Sequence, residues 1–212
     1  MTKQYVQYGC GHSAPIEWLN FDVSPTLRVQ KTPILGKLLK NKLNTTFAPN
    51  VRYGDIVKGL PVEDNSCDGV YCSHILDNLA LEDFRRAVKN TFKILKVDGI
   101  FRCVLPDLEF EVRTYIKNLD SGDKSASIKF QTETILGFVK RPRGLRQILI
   151  SNLENNRHLW MWDRLSMVEE LSNVGFSDIR PCAFHDSADQ MFLLVENDEG
   201  RFINSLAFEC RK

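Results

Sequence analysis

Five short apolar or alternating runs recur along the chain, at Tyr5 to Tyr8, Trp18 to Val23, Val51 to Ile56, Asp68 to Cys72 and Gly99 to Leu105. Stretches with helical spacing separate them. Strands that alternate with helices predict a mostly parallel sheet covered by helices, because each parallel connection must cross back over a face of the sheet. The clearest helix is Leu81 to Val97, where Phe84, Val88, Thr91, Phe92 and Leu95 fall on one face and Asp98-Gly99 stops it. A second is predicted from Asp163, a plausible N-cap, through Leu165, Val168, Leu171 and Val174 to a stop at Gly175. Two final runs, Phe176 to Phe184 and Phe202 to Glu209, read as strands joined by a short connection into an antiparallel hairpin at one sheet edge.

The expected fold is therefore α/β, a Rossmann-like, mostly parallel sheet with helices on both faces and a C-terminal antiparallel hairpin. Between the fifth strand and the Asp163 helix, Asp107 to Asn156 is helical in pattern and carries no strand. It is read as a helical insertion or lid, at about 108–157, within a single domain spanning residues 1–212. The 28 basic residues against 27 acidic ones leave a formal net charge of +1. That lacks the basic excess which binding to a nucleic-acid backbone requires, so bulk nucleic acid is a poor partner. Six scattered cysteines without a Cys-x-x-Cys pair, several inside apolar runs, read as reduced core residues. Neither a signal stretch nor a run near the ~18 apolar residues of a membrane span is found, and the expectation is a cytoplasmic protein without a transmembrane segment. No cysteine, histidine or carboxylate spacing matches a metal site.

After the first run comes Tyr8-Gly9-Cys10-Gly11-His12-Ser13-Ala14, two glycines where a strand must turn sharply and a ligand can approach the backbone. The next run ends in Asn20-Phe21-Asp22, a carboxylate at the carboxyl end of the second strand. There it can accept both hydroxyls of a ribose, or simply cap the turn at Ser24-Pro25. In a dinucleotide fingerprint the acid follows by about 20 residues. Asp22 follows Gly11 by only 11 positions, which counts against a nicotinamide enzyme. The residues from 11 to 18 are also fewer than the dozen or so a crossover usually takes, so any first helix is a turn or two.

With these residues the chain resembles the class I S-adenosylmethionine-dependent methyltransferases, most closely a bacterial subgroup associated with glycan biosynthesis. The resemblance covers nearly the whole chain. It rests on Tyr8-Gly9-Cys10-Gly11, Trp18 to Asp22, Gly54-Asp55, Leu60-Pro61, Asp64 to Asp68, Ser73-His74-Ile75-Leu76, Ile94 to Gly99, Arg102 to Leu108, His158 to Asp163 and Gly175-Phe176. It implies S-adenosylmethionine as cofactor, with Gly9 and Gly11 under its methionine part, Asp22 on its ribose and Asp55 with Ile56 flanking its adenine. Tyr8, Cys10, Ser73 and His74 complete the expected cofactor-binding set. Read from the residues alone, Asp55 could equally be a loop aspartate. Two departures stand out. Gln7 occupies a place that is acidic in many class I enzymes, and Leu76-Asp77-Asn78 stands where the subgroup tends to have leucine, glutamate and histidine.

Methyl transfer from a sulfonium depends mainly on alignment, and a general base matters chiefly when the acceptor is a neutral hydroxyl. The candidate catalytic residues are His74, which follows the fourth strand, His158, which precedes Trp160 and Trp162, and Asp107 after the fifth strand. Each has a structural alternative: a turn histidine, a neighbour of core tryptophans, and a helix N-cap. Basic segments Lys31 to Lys42 and Lys140 to Arg146 could meet an anionic acceptor, or be solvated faces. The function expected is methyl transfer to a small-molecule or saccharide acceptor, at oxygen. The rivals are a non-catalytic cofactor-binding relative acting as a partner or regulatory subunit and, less favoured, a nucleotide-dependent oxidoreductase.

Overall fold

A computed structural model describes residues 3–32, 46–137, 139–140 and 157–212. Most of Lys31 to Lys42, Lys140 to Arg146 beyond its first residue, and part of the expected insertion lie outside the described residues. Seven strands form one sheet: β1 (Tyr5–Tyr8), β2 (Leu19–Asp22), β3 (Val51–Tyr53), β4 (Cys67–Ser73), β5 (Leu95–Pro106), β6 (Ser177–Pro181) and β7 (Ser205–Arg211). Their order is β3-β2-β1-β4-β5-β7-β6, with β7 antiparallel to both its neighbours and the other pairings parallel. The helices among the described residues are α1 (Pro25–Lys31), α2 (Leu81–Ile94), α3 (Leu108–Asp120), α4 (Ala126–Glu133) and α5 (Arg164–Val174). The predicted mostly parallel α/β sheet with an antiparallel C-terminal pair is the observed fold.

One face of the sheet carries the main core. Val6, Tyr8, Val70, Cys72, Phe101, Cys103 and Phe208 meet Phe84, Ala87 and Val88 of α2 and Met167 and Leu171 of α5. Strand residues of alternating register fill the other face, where Tyr5, Tyr71, Ile100 and Val104 pack against Trp18, Phe192 and Val195. Asp163 caps α5 by accepting from Ser166 N at 2.8 Å, and Gly175 ends it in the left-handed region at φ +114°. Both ends fall where the sequence predicts.

Three expectations differ from the structure. α2 stops at Ile94, and Leu95 already belongs to β5, paired with Cys67. Leu95 fits the apolar stripe of the helix and the buried side of the strand alike, so spacing alone cannot assign it. The connection between β6 and β7 is long, running through two 3-10 turns at Gln190–Leu194 and Glu199–Phe202. The link from the glycine turn to β2 contains turns and no helix. Side chains hold that link in a helix's place: Gln7 Nε2 donates to Ser13 O at 2.6 Å and to Asn20 Oδ1, while Asn20 Nδ2 donates to Pro15 O and Trp18 O, both at 2.8 Å. The amide at the usually acidic position thus serves the short parallel connection.

Candidate functional site

The carboxyl ends of β1 and β4 frame a cavity of about 470 Å³. Its floor is the run from Gln7 to Ser13, and Tyr71 and Ser73 of β4 form one side. Val195, Asn197, Asp198 and Arg201, from the long β6–β7 connection, complete the wall, with Arg201 Nη1 donating to Ser73 O at 3.3 Å. The two glycines have different duties. Gly9, at φ +64°, lies under the β4 turn so closely that a Cβ there would sit 2.1 Å from Ile75 Cδ1. Gly11, at φ +53°, faces open space, with nothing within 4 Å of such a Cβ. The first glycine permits packing of protein on protein; the second leaves room above the turn.

Asp22 fixes that turn from β2. It is 8% exposed, and its carboxylate accepts from Gly11 N at 3.1 Å and Ser24 N at 2.8 Å. Cys10 N donates to Phe21 O at 3.1 Å, a second tie between turn and strand. Burial pushes the Cys10 thiol up to about 12, which keeps it protonated and unreactive. Ser13 Oγ, in the cavity lining, is buried without a hydrogen-bond partner. A polar ligand end over the turn would satisfy it.

Of the residues singled out in the sequence, Tyr8, Gly9, Cys10, Gly11 and Ser73 line the cavity. Asp22 touches it through Gly11. Asp55 and Ile56 lie at the end of β3, outside the lining; Asp55 accepts from Val57 N and pairs with Lys58, and Ile56 is buried in the main core. His74 sits just behind the wall in the left-handed region, φ +54°, with Asn78 Nδ2 donating to its carbonyl at 2.9 Å. Its Nε2 lies 3.0 Å from Arg201 O. A carbonyl only accepts, so Nε2 carries the proton, and in the neutral ring Nδ1 is free to accept one.

Asp107 is engaged as the N-cap of α3, accepting from Glu109 N at 2.8 Å. His158 packs against Asp77, with Nε2 3.3 Å from Oδ2. The segment carrying it is tied to the β4 turn through Leu159 N and Trp160 N, which both donate to Asp77 O. The departure at Asp77 therefore places a buried carboxyl opposite His158. Burial pushes Asp77 up to about 6 and His158 down, because desolvation disfavours the charged form of each.

Sequence reasoning passed over the wall. Arg102, on β5, is fully buried and binds four groups: Nε donates to Glu196 Oε1 at 2.7 Å, Nη1 to Asp186 Oδ1 at 2.9 Å and Glu209 Oε2 at 2.8 Å, and Nη2 to Ala183 O at 3.0 Å. His185 N donates to the other Glu196 oxygen at 2.8 Å. This network pins residues 183–196 to the sheet and so sets the wall that follows. One signal was available, an arginine inside the apolar run Phe101 to Leu105, which demands buried partners.

Comparison with known proteins agrees with this geometry. Residues 6–103, from β1 to the middle of β5, match a family model described as a methyltransferase domain. Among solved structures, a Thermotoga maritima S-adenosylmethionine-dependent methyltransferase, described as a possible histamine N-methyltransferase, is 16% identical with a TM-score of 0.50, over 100% of this chain and 83% of that one. A Haloferax volcanii complex containing the Trm112 methyltransferase activator aligns at 15% identity and TM-score 0.50, covering 99% and 82%. PigF with SAH aligns at 13% and 0.50, covering 99% and 56%. No curated protein matches the chain. The family match is confined to residues 6–103, and the solved structures share the fold over the whole chain. No described helix is long and apolar enough to cross a membrane.

Proposed function

We propose that the chain transfers a methyl group from S-adenosylmethionine to a hydroxyl of a small-molecule or saccharide acceptor. The observation that carries this reading is the cavity over the glycine turn, with open space above Gly11 and the unpartnered Ser13 Oγ in its lining. Gly9, Cys10, Gly11 and Ser13 would hold the amino-acid end of the cofactor. Asp22, already fixed by two backbone N–H groups, keeps lone pairs for the ribose hydroxyls. Asp55 and Ile56 extend the site toward the adenine at the neighbouring strand end. The bound cofactor supplies a sulfonium-activated methyl group for in-line displacement.

The protein's part is alignment, with a base for the hydroxyl proton. His74 is the base in this reading, since Arg201 O occupies its Nε2 and leaves Nδ1 as acceptor. His158 with Asp77 and Asp107 lie, like His74, outside the cavity lining, and they take supporting roles. A glycan-pathway acceptor and a cytoplasmic location accord with the family resemblance.

Calorimetric titration with S-adenosylmethionine, S-adenosylhomocysteine and NAD tests the cofactor. Micromolar binding of the first two alone is expected; binding of NAD alone would overturn the reading. Turnover on a panel of hydroxyl acceptors, lost in His74→Gln with cofactor affinity kept, separates an enzyme from a non-catalytic relative.

A further inference from the structure

Arg201 is the one arginine or lysine that lines the cavity among the described residues. It stands in the 3-10 turn Glu199–Phe202, beside Ser73 at the end of β4. Its guanidinium makes a single hydrogen bond there, Nη1 to Ser73 O at 3.3 Å, and no ion pair with any described carboxylate. The nearby Asp198 is engaged in capping the same turn, where it accepts from Gly200 N at 2.9 Å. The backbone of Arg201 is held on both sides, its N–H donating to Asp198 O at 3.3 Å and its carbonyl facing His74 Nε2 at 3.0 Å. Behind it, the Arg102–Glu196 pair locks the wall to β5. An arginine with most of its donor fork free, on a fixed backbone at a cavity wall, is preorganised for an anion.

We infer that Arg201 is the anion-recognition residue of this cavity and that the methyl acceptor carries a carboxylate or phosphate group, bound by Arg201 beside the hydroxyl that receives the methyl group. The inference rests on the methyltransferase reading, which assigns the glycine-turn side of the cavity to the cofactor and leaves the Arg201 wall to the acceptor. The same chemistry could serve the cofactor's own carboxylate, and the test separates the two sources.

The full chain, saturated with S-adenosylhomocysteine at low salt, is titrated with inorganic phosphate as wild type, Arg201→Gln and Arg201→Lys. Each is also titrated with S-adenosylmethionine and with 5′-methylthioadenosine, which lacks the amino-acid end. The expected result is phosphate binding by the wild-type complex that falls by about tenfold or more in Arg201→Gln. Arg201→Lys should recover part of it, because charge returns without the fork, while S-adenosylmethionine affinity stays within about twofold. Phosphate affinity that is absent, or equal in wild type and Arg201→Gln, overturns the assignment. Loss of S-adenosylmethionine binding with methylthioadenosine binding retained also overturns it, and gives Arg201 to the cofactor's carboxylate. Failure of the wild type to bind S-adenosylmethionine is a separate outcome that defeats the methyltransferase reading and this inference with it.

Discussion

Asp77 Oδ2 lies 3.3 Å from His158 Nε2, with the Asp77 side chain wholly buried and neither carboxylate oxygen in a hydrogen bond. The contact joins the turn after β4 to the segment leading into α5, and its protonation state follows from burial. Asp77 is pushed up from 3.8 to about 6, so its folded value exceeds its unfolded one. Its contribution to stability is present below pH ~4 and lost as pH rises through about 6. Asp77→Asn should therefore gain on the wild type by about 1.4 kcal/mol between pH 5 and pH 8. Urea midpoints at those two values read the difference. His158, pushed down by burial, has the opposite slope below pH 6.5, but it is present in both proteins. A gain that is the same at both values would mean that Asp77 does not titrate in this window.

The two glycines should fail in different ways. Gly9→Ala drives a methyl group into Ile75 and strains a left-handed backbone, at a cost of about 2–4 kcal/mol in folding stability. Gly11→Ala meets no protein atom, so its stability cost is the backbone term of about 1–2 kcal/mol. Its methyl group would occupy the space above the turn and weaken S-adenosylmethionine by about tenfold. Denaturation and calorimetry on the same pair of variants show whether the effects separate.

Asp22→Ala should weaken cofactor binding by about 1.5–3 kcal/mol through loss of charge-assisted hydrogen bonds, and it also frees Gly11 N and Ser24 N. The fold survives, because β2 keeps its backbone pairing with β1 and β3. An unchanged affinity would remove Asp22 from the site.

Arg102→Met leaves Glu196, fully buried, without its cation, and a cost of about 3–5 kcal/mol is expected. Adding Glu196→Leu should recover part of that loss, because the uncompensated charge goes with it. Urea midpoints of the single and double variants decide. Equal losses in both would show that the pair is not the source.

Much of the fold was legible because it is written in local periodicity. β1 through β5, the α2 stripe, the Asp163 cap and the Gly175 stop all follow from patterns within a few residues of each other. The Gly9-Cys10-Gly11 turn and Asp22 could be read for the same reason, since the hydrogen bond that joins them spans only 11 positions. Periodicity could not end α2 at Ile94, because Leu95 suits either element. It also could not show that a 23-residue stretch, Cys182 to Asn204, joins the last two strands instead of the short connection expected.

The sequence by itself determined the sheet, its helices and the floor of the cavity, whose residues are neighbours along the chain. Only the tertiary structure decided the wall. Arg201 reaches the site across 128 positions from Ser73, and Arg102 holds Glu196 across 94. Those contacts, a hydrogen bond to a backbone carbonyl and a buried ion pair, join distant segments in a relation that no local spacing encodes.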